Sequence, residues 1–364
     1  MVFKGNLKTV NINRYSIAIY LCHKMQLNTI GPVIEKIKAK EYKKAVITTH
    51  HKPDGDAMGS SLGLYAFLKY HIDQVHVITP TDYAEFLHWM PGHNDVINWE
   101  EKEVEAKKLT EEADVVFCLD FNRLSRINEY GEVVRNCKAE KVLIDHHLEP
   151  EHFENYALWN PSSSSTAELI FHFIKHHFGL EHVSKDCATC IYTGLMTDTG
   201  NFQYSNTNST THLVAADLLD QGADHVGIHE RIYDVFSMDR SKLFGYCLFY
   251  KLEYIPELRT ALMYLTREEL ERFNVQTGDT EGLVNLGLGL KGCVLSVLII
   301  DRTKMVKMSF RSKGNFAVNE YAAKFFNGGG HRNASGGQSD EPLEMVVARF
   351  RNTIIDYQKE LNAI

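Results

Sequence analysis

Aspartate and histidine gather at four places in this chain. The first is His50-His51-Lys52-Pro53-Asp54-Gly55-Asp56, the second is Asp120, the third is Asp145-His146-His147, and the fourth is Asp198 within Thr197-Asp198-Thr199-Gly200. Taken singly, each has an ordinary reading: a strand-to-helix turn rich in Asp and Gly is often only a helix cap, and a lone aspartate after an apolar run is commonly a turn residue. Taken together, they offer several carboxylates and imidazoles at one rim, a concentration of charge that mutual repulsion would make unstable without cations. Imidazole with carboxylate suits Mn(II), Fe(II), Co(II) or Zn(II), whereas Mg(II) prefers an all-oxygen shell. A carboxylate shared by two such ions about 3.5–4 Å apart forms the clamp used for in-line attack at phosphorus.

A sheet must bring these residues to one place. Apolar runs at 45–49, 74–79, 114–119 and 141–144 alternate with amphipathic patterns at 31–39, 60–70 and 101–110, the signature of an α/β fold with a parallel sheet flanked by helices. Three of the four runs lead directly into His50, Asp120 or Asp145, and ligands in open α/β sheets bind at the carboxyl ends of strands. Pro53 and Gly55 are expected to prevent regular structure there, so that His50, Asp54 and Asp56 converge. Residues 167–178 read as a helix from Leu169, Phe171, Ile174 and Phe178, and another helix with the buried face Cys187, Ile191, Leu195 carries Asp198 toward the sheet. The uneven apolar stretch from about 225 to 252 reads as a helical connection. Beyond it the pattern predicts strands at 293–300 and 305–310, a helix at 317–326, a loop at Gly328-Gly329-Gly330, and a final helix over 342–361 opened by Pro342.

Composition narrows the function. A chain of 364 residues exceeds the usual single-domain size, and 44% hydrophobic with 24% charged residues is ordinary for a soluble globular protein. No segment approaches the ~18 consecutive apolar residues of a membrane span, so no membrane partner is expected. The net charge of -8 lacks the basic excess of a protein that tracks long nucleic acid; any nucleic substrate should be short. The seven cysteines are scattered in apolar stretches and predict reduced, buried thiols in a cytoplasmic protein. Cys187 and Cys190 form a lone CxxC with no second pair to complete a zinc site. The apolar run 15–22 behind Lys4, Lys8 and Arg14 superficially resembles a signal peptide, but His23 and Lys24 stand where a cleavage site should be; it reads as a ragged extension, with a start at Met25.

The ordered set His-x-x-x-Asp-x-Asp, Asp, Asp-His-His, Asp resembles the DHH phosphoesterases, which include RecJ-type nucleases, family II pyrophosphatases and nano-RNA degrading enzymes. The second half is similar to their associated C-terminal domain, whose marker is the Gly-Gly-Gly-His loop, here Gly328-Gly329-Gly330-His331. The likeness runs from about Thr29 onward. It implies an extension over 1–28, a catalytic domain over 29–225, a helical linker over 226–252 and a smaller α/β substrate-binding domain over 253–364, with the active site in the cleft between the two domains.

Carried over position by position, the resemblance implies that His50 and Asp54 hold one metal, that Asp56, His146 and Asp198 hold a second, and that Asp120 bridges both. His147 becomes the phosphate contact and proton donor, and Asp145 orients a histidine. Arg311, Gly328, Gly329, Gly330, His331, Arg332 and Ser335 become the substrate-binding set, the glycine amides and Arg311 gripping a phosphate. Residues 163–166 resemble another family element, though a helix cap for 167 onward is their plainer role.

The expected function is hydrolysis of short oligoribonucleotides to mononucleotides, and of 3'-phosphoadenosine 5'-phosphate to AMP, by a water activated between two divalent cations, chiefly Mn(II). The nearest alternative is a cyclic or linear dinucleotide phosphodiesterase, followed by an exopolyphosphatase or pyrophosphatase and by a non-catalytic nucleotide sensor. Expected partners are the oligoribonucleotide or bisphosphate nucleotide substrate and, allowed for, a second copy of the chain in a homodimer.

Overall fold

The computed structural model describes residues 29–234, 237–276, 278–302 and 304–364. The extension at 1–28, with Cys22 and the expected start at Met25, lies outside the described residues. The chain divides into two compact units between Ile232 and Tyr233.

The first unit is built on six parallel strands: β1 (Lys44–Thr49), β2 (Gln74–Thr79), β3 (Val96–Asn98), β4 (Val115–Leu119), β5 (Glu140–Asp145) and β6 (Tyr156–Trp159). The order across the sheet is β3-β2-β1-β4-β5-β6, so the winding reverses between β1 and β4. That reversal opens a crevice at the carboxyl ends of the two strands, the place where doubly wound sheets bind ligands. Strand β4 is buried along its whole length, as a central strand covered on both faces must be. Strands β3 and β6 are three and four residues long and half-buried at the sheet edges; neither carries an apolar run strong enough to read from sequence.

Among the described residues, the sheet is accompanied by helices α1 (Gly31–Lys38), α2 (Gly55–Leu68), α3 (Trp99–Glu111), α4 (Tyr130–Asn136), α5 (Thr166–His177), α6 (Lys185–Asp198), α7 (Ser209–Asp220) and α8 (His225–Tyr233). Helix α2 starts five residues before its expected first residue, 60, so regular structure begins at Gly55 rather than being prevented there. Asp54 caps it, its Oδ1 accepting from the backbone N–H of Asp56 at 3.0 Å and of Ala57 at 3.1 Å. The central helix pair is α2 with α6, and its closeness depends on Gly59. A Cβ at Gly59 would lie 2.6 Å from both the Cys190 carbonyl oxygen and the Gly194 nitrogen, backbone atoms that cannot step aside.

The second unit holds six strands in the order β11-β12-β10-β9-β8-β7: β7 (Glu253–Ile255), β8 (Thr260–Leu265), β9 (Leu295–Asp301), β10 (Val306–Ser312), β11 (Gly329–His331) and β12 (Ala334–Ser339). Strands β8 and β9 run parallel; the other neighbours are antiparallel. One core cluster joins Val297, Met308 and Phe310 to Tyr321, Phe326 and Phe350 on the helices Val318–Phe326 and Leu343–Ile354. The other joins Leu298 and Ile300 to Leu283 and Leu243. Gly329 and Gly330 of the triple glycine belong to an edge strand rather than a loop, because they pair in register with β12, Gly329 opposite Gly336 and Gly330 opposite Ser335. The expected final helix is interrupted after Ile354 by a 3-10 turn at Ile355–Tyr357 before Gln358–Asn362.

Candidate metal centre

Each acidic or imidazole side chain singled out in the first unit lies at or just past the carboxyl end of a strand, or at the end of a helix packed there. His50 follows β1, Asp120 follows β4, and Asp145 ends β5 with His146 and His147 next. Asp54 and Asp56 open α2, and Asp198 closes α6. Asp120 sits in the left-handed region at φ 62°, which a non-glycine residue adopts only when its surroundings hold it there.

Two groups of donor atoms result, each with all its atoms within 4.8 Å of one another: His50, Asp54 and Asp120 in one, Asp56, His146 and Asp198 in the other. Asp120 faces both. Its Oδ2 lies 3.5 Å from His50 Nε2, while its Oδ1 lies 3.5 Å from His146 Nε2. His50 Nε2 is also 3.9 Å from Asp54 Oδ2, and His146 Nε2 is 3.8 Å from both Asp56 Oδ2 and Asp198 Oδ2. Except for the exposed Asp54 and the partly exposed Asp198, these side chains are almost wholly buried.

The imidazole tautomers fit a cation. His50 Nδ1 meets the His51 carbonyl oxygen at 2.9 Å, and His146 Nδ1 meets the Ser163 carbonyl oxygen at 3.3 Å. A carbonyl accepts only, so Nδ1 carries the hydrogen and, in the neutral ring, Nε2 turns a lone pair toward carboxylate oxygens. Lone pairs facing lone pairs at 3.5–3.9 Å repel unless a positive charge stands among them. Electrostatics agree. Burial, reinforced by the charges of Asp120, Asp198 and Asp54, pushes the Asp56 carboxyl well up, and the same effects raise Asp198 to about 6 against the pull of His146. Burial would lower His50 and His146, but the surrounding carboxylates outweigh it and hold both imidazoles up. Burial likewise works against ionisation of Asp120, yet the three imidazoles around it keep this carboxyl below its usual range. The cluster therefore retains protons wherever no cation replaces them.

His147 adjoins these groups, its Nδ1 lying 3.7 Å from Asp120 Oδ1. Its Nδ1 donates to Asp145 Oδ1 at 2.8 Å, and Asp145 is fully buried. Its backbone carbonyl accepts from Trp159 Nε1 at 2.6 Å, which fixes the main chain. The histidine oriented by Asp145 is thus His147.

The family follows from this order of residues and from sequence comparison. A model of the DHH family, N-terminal domain, matches residues 44–195, and one of the DHHA1 domain matches residues 261–360. The bifunctional oligoribonuclease and PAP phosphatase NrnA of Thermus thermophilus is 32% identical over 334 residues, 90% of this chain and 94% of that protein. This chain is a DHH-family phosphoesterase. A crystal structure of an exopolyphosphatase-related protein from Bacteroides fragilis shares 41% identity with the DHH phosphoesterase, with a TM-score of 0.86 over 90% of this chain and 97% of the other. The cyclic-di-AMP phosphodiesterase PdeA of Listeria monocytogenes is 27% identical over 85% of this chain, which corresponds to 47% of that longer protein. As a member of the DHH family the phosphoesterase is divalent-metal dependent, and the two donor groups are where this chain offers ligands.

In the second unit of the DHH phosphoesterase, register decides which of the expected substrate residues share a face. Ala334 lies opposite both Arg311 and His331, so these three form one row across β10, β12 and β11. Ser335 lies opposite Phe310, on the core side, and is buried; it does not join that row. Arg311 Nη1 donates to the Phe310 carbonyl oxygen at 3.0 Å, and its Nε has no hydrogen-bond partner among the described residues. Arg332 is held by the Asn315 carbonyl oxygen at 3.1 Å. Gly328 admits no side chain, since a Cβ there would fall 2.1 Å from the Gly336 carbonyl oxygen.

Several residues that touch the ligands were not singled out in the sequence. The amide N–H groups of Thr166 and Ala167 donate to Asp56 Oδ2 at 2.7 Å and Oδ1 at 2.9 Å, so this carboxylate sits on the amino terminus of α5. Asn206 Nδ2 reaches the Asp198 carbonyl oxygen at 3.1 Å. Residues 163–166, which include Thr166, resemble a family element whose plainer role is a helix cap, and Ser165 is that cap. Cys187 and Cys190 are buried free thiols bonded to the Gly63 and Pro91 carbonyl oxygens, and burial pushes the Cys187 thiol up to about 12.

Proposed function

We propose that this phosphoesterase hydrolyses short oligoribonucleotides to mononucleotides and 3'-phosphoadenosine 5'-phosphate to AMP, with two divalent cations, chiefly Mn(II). The observation that carries the reading is the placement of the Asp120 carboxylate, one oxygen toward each donor group. His50 and Asp54 would hold one ion, Asp56, His146 and Asp198 the other, and Asp120 both. Two cations so held supply Lewis acidity toward phosphoryl oxygens and lower the pKa of an attacking water.

The chain's own groups do the rest. His147, held by Asp145, is in the tautomer that presents Nε2 to a substrate, and in its protonated form it would give a proton to the leaving oxygen. Asp120 presents Oδ2 toward His50 and Oδ1 toward His146 from a single buried position after β4. In the second unit, Arg311 and His331 would hold a substrate phosphate, the guanidinium by paired N–H bonds and the glycine amides nearby adding donors. The substrate class is supported by the name of the Thermus thermophilus relative and by the net charge of -8, which disfavours long polyanions.

A cyclic or linear dinucleotide phosphodiesterase is the second reading, favoured by the likeness to the Listeria monocytogenes enzyme. One assay panel separates them: protein with Mn(II) on 3'-phosphoadenosine 5'-phosphate, a ribotrinucleotide, cyclic di-AMP and pyrophosphate. Turnover of the first two above the others is expected. Turnover of cyclic di-AMP or pyrophosphate alone would replace the proposal.

A further inference from the structure

The segment from 163 to 168, between β6 and the first turn of α5, touches both donor groups. The Ser163 carbonyl oxygen accepts from His146, and the amides of Thr166 and Ala167 hold Asp56. Asn206 Nδ2, which donates to the Asp198 carbonyl oxygen, also reaches the Ser164 carbonyl oxygen at 2.9 Å. One contact concerns the shared carboxylate itself: Thr166 Oγ1 donates to Asp120 Oδ1 at 2.8 Å, with both side chains buried.

This hydroxyl is not needed to cap the helix. Ser165 does that, its Oγ accepting from the Glu168 N–H at 3.0 Å. Nor does it add charge to a crowded site. What it does is take one of the two oxygens of a carboxylate that must point two ways and can otherwise rotate. Oδ1, the oxygen it takes, is the one turned toward His146.

Glu168 holds the segment from behind. Its Oε2 accepts from the Ser164 N–H and the Thr211 hydroxyl, each at 3.3 Å, and from the Ser164 hydroxyl, while Oε1 lies 3.8 Å from His172 Nε2. Burying a carboxylate is costly unless it is bonded, and these contacts tie the segment to Thr211 of α7 and to His172 of α5.

We propose that Thr166 is a positioning residue whose hydroxyl fixes the Asp120 carboxylate in the orientation that serves both donor groups, with the buried Glu168 anchoring the segment that carries it. The inference rests on the two-cation reading. The test is Mn(II) binding in the absence of substrate, followed by the electron paramagnetic resonance signal of the free ion, on metal-stripped wild type, Thr166→Val, Thr166→Ser and Glu168→Gln. Thr166→Val, nearly the same shape without the hydroxyl, is expected to weaken binding roughly 10–100-fold, the range seen when outer-shell partners of metal ligands are lost. Thr166→Ser restores the donor and should bind close to wild type. Glu168→Gln, which touches no ligand, should lose affinity through the segment.

Wild-type affinity in Thr166→Val would overturn the proposal, and so would a Thr166→Ser variant as weak as Thr166→Val, because the methyl group and not the hydroxyl would then matter. Unchanged binding in Glu168→Gln removes the anchor. Fewer than two Mn(II) bound by the wild type itself would instead overturn the two-cation reading.

Discussion

At the scale of single residues, the site is a contest between burial and charge that protons settle when cations are absent. The Asp56 and Asp198 carboxyls and the His50 and His146 imidazoles all have raised pKa values in the folded chain. A group that binds its proton more tightly when folded adds stability below its unfolded pKa and loses it as pH rises through the folded pKa, about 6 for Asp198. Asp120, depressed instead, titrates below that window. The melting temperature of metal-stripped protein should therefore fall as pH rises from about 5 to about 7, and saturating Mn(II) should abolish the fall, as calorimetry would read. A stripped protein that gains stability over that interval would contradict the assignment. His147→Ala should depress kcat by roughly 10²–10⁴ on every phosphodiester tested, since proton donation to the leaving oxygen is common to all; a change in KM alone would remove His147 from that role. The aspartates and histidines of the site stand out in the sequence because they follow apolar runs or close a periodic helix, and their division into six proposed ligands rests on the family resemblance. Residues 163–166 show only a resemblance with a helix cap as the plainer role, and Asn206 shows nothing, since a hydroxyl, a carbonyl and an amide have no spacing that betrays a partner; Thr166 and Asp120 are 46 residues apart.

At the scale of elements, one donor group joins Asp56 of α2 to Asp198 of α6, and the close approach of these two helices is a matter of missing side chains. A Cβ at Gly194 would stand 2.7 Å from the Ala167 Cβ and 3.0 Å from Asp56 Oδ1, so Gly194→Ala presses directly on a proposed ligand. Overpacking of this kind costs about 1–3 kcal/mol, and the variant should lose Mn(II) affinity as well. Urea denaturation and metal titration on the same variant check both, and wild-type behaviour in each would show that the helices have slack. The buried strands β1, β4 and β5 were plain from their uninterrupted apolar runs, because a strand covered on both faces has no polar alternation to hide in. The start of α2 was misjudged for a physical reason: glycine was read as a breaker, while Gly55 is there because Thr197 leaves no room for a Cβ, 2.3 Å from its hydroxyl oxygen. The triple glycine misled in the same way, its edge-strand pairing being set by β12 and invisible in its own composition.

At the scale of the whole molecule, the account divides labour between chemistry in the first unit and substrate holding in the second. Arg311→Ala should then lower kcat/KM roughly tenfold to a hundredfold for 3'-phosphoadenosine 5'-phosphate, the worth of a charge-assisted hydrogen bond. A simple aryl phosphodiester, lacking the remote phosphate, should be hydrolysed almost as before; equal losses on the two substrates would defeat the division of labour. Turnover should also fall as oligoribonucleotide length rises, because an acidic chain offers few phosphate contacts beyond the first one or two. The central claim is that two cations, joined by Asp120, make this chain a hydrolase of small nucleotide phosphates. It is tested most directly by titrating Mn(II) into metal-stripped protein while measuring AMP release from 3'-phosphoadenosine 5'-phosphate. Activity absent at the start and complete at about two Mn(II) per chain, with Asp120→Ala binding both ions weakly, is the predicted result. Full activity in the stripped protein would contradict the account.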